Sequence, residues 1–88
     1  MIAIHLIIHG RVQCVFYRDW AVSTACKLGI AGWVRNLSDG TVEAHLEGDP
    51  GALQRMIAAM HDGPPRAHVQ SIEEHVAETE GLEAFTRR

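Results

Sequence analysis

Hydrophobic and polar positions alternate from the first residues of the chain. Ile2, Ile4, Leu6 and Ile8 fall on one side of an extended backbone and Ala3, His5, Ile7 and His9 on the other, which predicts a strand over Ile2 to His9 with one face fully buried. A turn at Gly10 follows, and the period then changes. From Tyr17 to Leu28 the residues Ala21, Val22, Ala25, Cys26 and Leu28 share a helical face while Asp19, Ser23 and Lys27 point away, and Gly29 suits the stop. Two further strands, Trp33 to Leu37 and Thr41 to Glu47, flank the turn Ser38-Asp39-Gly40; Val42, Ala44 and Leu46 form an apolar face opposite a wet one of Glu43, His45 and Glu47.

The second helix has the clearest punctuation. Asp49 is placed to cap it and Pro50 to open it, Leu53, Met56, Ile57 and Met60 recur at helical spacing, and Gly63-Pro64-Pro65 ends it. Arg66 to Val76 reads as a strand whose apolar phase shifts between Val69 and Ile72, the mark of a bulge or an exposed end. Glu78 to Glu83 is an acidic loop, and Ala84 to Arg88 adds a short edge strand. The order βαββαβ predicts an α+β fold, the ferredoxin-like sandwich of an antiparallel sheet with two helices on one face. No repeat, linker or low-complexity tract divides the chain, so residues 1–88 are expected to form a single domain.

Composition narrows the function. With 47% hydrophobic and 22% charged residues the chain is an ordinary globular one, and its formal net charge of -3 argues against a protein built to hold nucleic acid. Two cysteines, Cys14 and Cys26, form neither a disulfide framework nor a zinc knuckle and read as free thiols of a reducing cytoplasm. The apolar run at the N-terminus lacks a basic flank and a cleavage site and is too short to span a bilayer. His5 and His9 share a strand face but lie about 13 Å apart at strand rise, too far to chelate one ion together. His45, His61, His68 and His75 have no ligand spacing, so solvated or core-edge roles are expected, and no metal site.

Against that background one stretch carries chemistry. Gly10-Arg11-Val12-Gln13-Cys14-Val15-Phe16-Tyr17-Arg18 leaves a strand and enters a helix, where unpaired N–H groups and the helix dipole favour an anion such as phosphate. A second block, Gly32-Trp33-Val34-Arg35-Asn36, is followed by Asp39-Gly40-Thr41-Val42-Glu43. Together the blocks resemble the two signatures of the acylphosphatase family, roughly G-x-V-Q-G-V-x-(F/Y)-R and G-W-V-x-N with D-G-x-V-E behind. The resemblance extends to the Phe85-Thr86-Arg87-Arg88 tail, and Cys14 stands where the family usually has glycine.

This resemblance implies hydrolysis of the carboxyl–phosphate bond of a small acyl phosphate without metal or organic cofactor. It assigns the catalytic pair to Arg18 and Asn36. The residue types suit that chemistry. Backbone N–H groups of Gln13, Cys14, Val15, Phe16, Tyr17 and Arg18 can cradle phosphoryl oxygens, and a planar guanidinium offers two charge-assisted hydrogen bonds. The Asn36 amide can hold a water without titrating near neutral pH. No general base is obvious nearby, and by resemblance a phosphoryl oxygen of the substrate takes the water's proton. The expected partner is the small-molecule substrate, with no nucleic acid and no membrane, and the expected form is a cytoplasmic monomer.

Blander readings stand beside these. An arginine at a helix start is commonly a surface charge, Asn36 can serve merely to bond the hairpin backbone, and Trp33, Phe16 and Tyr17 are expected in the core and pocket wall. Cys14 as a nucleophile is disfavoured, because a C-x5-R phosphatase loop is two residues longer than the stretch from Cys14 to Arg18. If the family glycine uses φ > 0, Cys14 is strained there by roughly 1–2 kcal/mol and phosphate affinity is expected to be weaker than in a glycine version. The rival class is a binding module for RNA or a metal ion, which βαββαβ domains also serve as. The first strand carries no aromatic to stack a base, and Cys14 has no close cysteine partner.

Overall fold

Five strands and two helices follow one another as β1 (Ile2–Arg11), α1 (Tyr17–Leu28), β2 (Ala31–Asn36), β3 (Val42–Gly48), α2 (Pro50–Asp62), β4 (His68–Ala77) and β5 (Phe85–Arg87) in a computed structural model that describes residues 1–88. The sheet order is β4-β1-β3-β2-β5. The first four strands pair antiparallel, but β5 lies parallel to β2, with Gly32, Trp33 and Val34 opposite Phe85, Thr86 and Arg87. The sheet is therefore mixed rather than wholly antiparallel. The edge strand follows a return loop that re-enters alongside β2 in the same direction, and strand polarity of this kind is not written in residue periodicity.

Strand parity sets the core. Leu6 and Ile8 of β1, Val34 of β2, and Val42, Ala44 and Leu46 of β3 form one cluster with Tyr17, Ala21 and Ala25 of α1 and Leu53, Met56, Ile57 and Met60 of α2. Both helices thus cover the same sheet face. Side chains the size of Leu53 or Met56, both fully buried, each contribute about 1.5–3 kcal/mol on leaving water. The α2 start is capped as its sequence predicts: the Asp49 carboxylate accepts from the Gly51 N–H at 3.2 Å, with Pro50 at the first helical position. Gly29 closes α1 at φ 70°, its N–H donating to the Ala25 carbonyl.

Four local expectations change. Gly10 is no free turn but part of β1, which runs on to Arg11; the register against β4 shifts there, Ser71 facing His9 and Val69 facing Gly10, so that Gln70 is the extra residue of a bulge. A Cβ at Gly10, whose φ is 126°, would stand 2.1 Å from the His68 carbonyl oxygen, so glycine is required. Cys26 is exposed rather than part of the buried helix face, and Phe16 is 69% exposed rather than in the core. The supposedly wet face of β3 is largely dry, with His45 and Glu47 only 4% and 1% exposed. The Trp33 ring stacks on His45 at 5.9 Å, and the segment after β4 folds over Glu47, donating the Glu80 and Leu82 N–H groups to its carboxylate.

Candidate active site

Parity also explains why the two motif blocks meet. On β2, Asn36 lies two residues beyond Val34 and so faces the helices, at the strand end beside the start of α1. The loop from Val12 to Phe16 wraps that same end. Val12, Cys14, Phe16, Tyr17, Arg18, Asp19, Asn36 and Arg87 line one cavity of about 250 Å³.

The loop is held in an unusual backbone state. Cys14 and Phe16 are the two non-glycine residues with positive φ, at 61° and 65°. Phe16 occupies the position before α1 with no side-chain cap, and the first backbone bond of the helix is the Trp20 N–H to the Phe16 carbonyl at 3.0 Å. No N–H from Gln13 to Asp19 donates to any protein acceptor. The consequence is a run of free donors and the positive end of a helix dipole beside the cavity, an arrangement chemically suited to an anion.

Side chains divide the labour within the loop. Val15 and Tyr17 turn inward, and the Tyr17 hydroxyl donates to the Met60 carbonyl at 2.7 Å; burial pushes that phenol well above its ordinary pKa. Gln13 does not reach into the cavity. Its amide donates to the Leu37 and Thr41 carbonyls at 2.7 and 2.9 Å, tying the loop to the β2–β3 turn next to Asn36. That turn is closed by Asp39, whose carboxylate accepts from the Thr41 hydroxyl and N–H at 2.6 and 3.0 Å; these bonds hold its pKa below the ordinary carboxylate value.

Arg18 and Asn36 come together on the cavity wall. The Arg18 guanidinium pairs with no Asp or Glu side chain and is held by one bond, from Nη1 to the main-chain oxygen of Arg88 at 3.2 Å, which leaves the other donors of its fork free. Asn36 Oδ1 is buried and has no hydrogen-bond partner in the protein. A buried amide oxygen without a partner costs about 1–3 kcal/mol, and Asn36 is one of the residues that line this cavity.

Two lining residues were not singled out from the sequence. Asp19 and Arg87 form an ion pair at 2.9 Å on the rim. Arg87 sits two residues after the buried Phe85, so strand parity turns it inward, and the parallel pairing of β5 with β2 brings it to this end of the sheet. Cys14 lines the cavity, and the one carboxylate that lines it too, Asp19, is paired with Arg87. No histidine lines this cavity; on the open sheet face His5 contacts Glu43 at 2.7 Å and His45 contacts Glu47 at 2.6 Å, and no cluster of His, Cys, Asp and Glu has metal-binding geometry. No helix is long and apolar enough to cross a membrane.

Comparison with known proteins agrees with both the fold and the motifs. The family model described as Acylphosphatase matches residues 4–86. The chain is 49% identical over 88 residues to an acylphosphatase of Acidiphilium cryptum, covering 100% of this chain and 97% of that one. It is 55% identical over 82 residues to one of Thermococcus kodakarensis, covering 92% and 89%. Among solved structures, the acylphosphatase from Bacillus subtilis matches with a TM-score of 0.97 at 36% identity, over 100% of this chain and 99% of that one.

Proposed function

The chain belongs to the acylphosphatase family, hydrolases acting on acyl phosphates, and from that membership we propose how its own residues divide the reaction. The N–H groups from Gln13 to Arg18 and the Arg18 guanidinium hold the phosphoryl group, and the Asn36 carboxamide holds the attacking water. The observation that carries this reading is the unpartnered Asn36 Oδ1 buried in the cavity that Arg18 lines.

An acyl phosphate already has a good leaving group. The water oxygen bonds to phosphorus as the bond to the acyl oxygen breaks, the carboxylate leaves with the electron pair, and the water's proton passes to a phosphoryl oxygen. The protein has only to align the partners and stabilise charge. Alignment supplies roughly 7–11 kcal/mol in favourable cases, and fixed donors on the phosphoryl oxygens add to it. None of these steps calls for a metal or an organic cofactor, and EDTA is expected to leave turnover unchanged.

The substrate class is small acyl phosphates, because the cradle grips the phosphoryl end. The proposal is of a monomeric cytoplasmic enzyme acting as one domain, with no nucleic-acid partner, in keeping with the net charge of -3. The test is hydrolysis of benzoyl phosphate by the native chain and by Arg18→Ala. Near-complete loss of turnover with weakened inhibition by inorganic phosphate is expected; Arg18→Ala retaining both would exclude Arg18 as the phosphoryl ligand.

A further inference from the structure

The open face of the sheet contains a buried acid that the reaction does not use. Glu47, at the end of β3 farthest from the cavity, is 1% exposed. Its carboxylate accepts from the Glu80 N–H, from the Leu82 N–H at 3.3 Å and from His45 Nε2 at 2.6 Å. Gly81, at φ 75°, lies between the two backbone donors and lets both N–H groups converge on one anion. The loop from Glu78 to Ala84 is thereby fastened across the sheet.

What that loop delivers is β5. The Gly32 N–H donates to the Ala84 carbonyl at 3.1 Å, where the loop becomes the strand. The other end of β5 is fixed by the Arg88 N–H donating to the Val34 carbonyl at 2.8 Å. The main-chain oxygen of Arg88 accepts from Arg18, and Arg87 pairs with Asp19. A strand of three residues paired on one side has few bonds of its own, so its place depends on how its ends are held.

We infer that Glu47 is a positioning residue for Arg18, acting through the Glu78–Ala84 loop and β5. The inference rests on Arg18 being the phosphoryl ligand. Charged and titratable groups around Glu47 are His45 of β3, Glu80 and Glu83 of the loop, Cys26 of α1 and the Met1 amino terminus, which line or adjoin the same recess. Burial works to raise the Glu47 pKa, but the hydrogen bonds from Glu80, His45 and Leu82 outweigh it and hold the group below its ordinary value of 4.5. The fastening is therefore in its charged form at neutral pH.

The test compares Glu47→Gln, which keeps the shape but leaves one acceptor where two N–H groups converge, with Ile57→Val, a core change in α2 remote from the loop. Backbone hydrogen exchange at Gly32 and Arg88 reads the seating of β5; the inhibition constant of inorganic phosphate and kcat on benzoyl phosphate read Arg18. Glu47→Gln is expected to speed exchange at both amides and to raise the phosphate constant by about threefold to tenfold, with Ile57→Val leaving that constant unchanged.

Gly81→Ala is the second variant, since nothing lies within 4 Å of its added Cβ and only the left-handed backbone is penalised. It is expected to act in the same direction, and it decides the matter if Glu47→Gln does not fold. Faster exchange at Gly32 and Arg88 with an unchanged phosphate constant, or no change in either, overturns the inference while Arg18→Ala still loses phosphate. An Arg18→Ala chain that binds phosphate normally overturns the reading of the site and this inference with it.

Discussion

Replacing Cys14 by glycine tests the cradle at its point of strain. Cys14 stands at φ 61°, a left-handed backbone that costs a residue with a Cβ roughly 1–2 kcal/mol. Glycine removes that cost but gives back about 0.5–1 kcal/mol through the greater freedom of the unfolded chain. With like ends of the two ranges paired, the expected net gain is about 0.5–1 kcal/mol. It divides between two observables. To the extent that the loop keeps φ near 61° with or without phosphate, the gain belongs to folding and raises Tm, at roughly 4–8 °C per kcal/mol for a domain of this size. To the extent that the empty loop relaxes, the gain belongs to binding, and 0.5–1 kcal/mol corresponds to about a two- to fivefold tighter phosphate constant. Thermal unfolding with and without phosphate measures both shares on one sample. A Cys14→Gly chain with neither a higher Tm nor tighter phosphate binding would refute the strain argument.

Other outcomes follow from the same geometry. Gln13→Leu removes the donor shared by the Leu37 and Thr41 carbonyls; a loss of about 1–3 kcal/mol in denaturant unfolding is expected, together with a lower kcat as the end of β2 loosens, and unchanged values of both would contradict the tie. Acid should destabilise the fold. Hydrogen bonds from Thr41 hold Asp39 below its ordinary value of 3.8, and those from His5 and Arg35, against the opposing effect of burial, hold Glu43 below 4.5, as the bond from His9 does for Glu73. These groups release protons more readily folded than unfolded. Their contribution is thus complete above the ordinary values and is lost as pH falls through the lowered ones, so Tm should drop between about pH 5 and pH 3. A Tm that is level or rising over that interval would contradict these assignments.

Much of the local structure was legible because it depends on residues close in sequence. The caps of α2, the run of α1 and the turn that leads into it each depend on residues within a few positions of one another, and α1 begins and ends at Tyr17 and Leu28 as periodicity predicts. The bulge was readable from the phase shift between Val69 and Ile72, since an extra residue displaces every later side chain to the other face. What escaped depends on distant partners. His45 and Glu47 alternate with apolar neighbours as wet residues do, and only Trp33 and the loop after β4 bury them. Phe16 has a core residue's chemistry, but the left-handed backbone at the helix start turns it outward. Arg87 reaches the cavity rim only because β5 lies parallel to β2, a pairing that no short-range pattern encodes.

The division of labour between Arg18 and Asn36 is tested most directly by Asn36→Ala on benzoyl phosphate, with kcat and the inhibition constant of inorganic phosphate measured on the same preparation. Removing a group that holds only the attacking water should lower kcat steeply, by about 10²-fold or more, and leave phosphate inhibition nearly unchanged. An Asn36→Ala enzyme with full kcat, or one whose kcat falls only in step with weakened phosphate binding, would contradict the account.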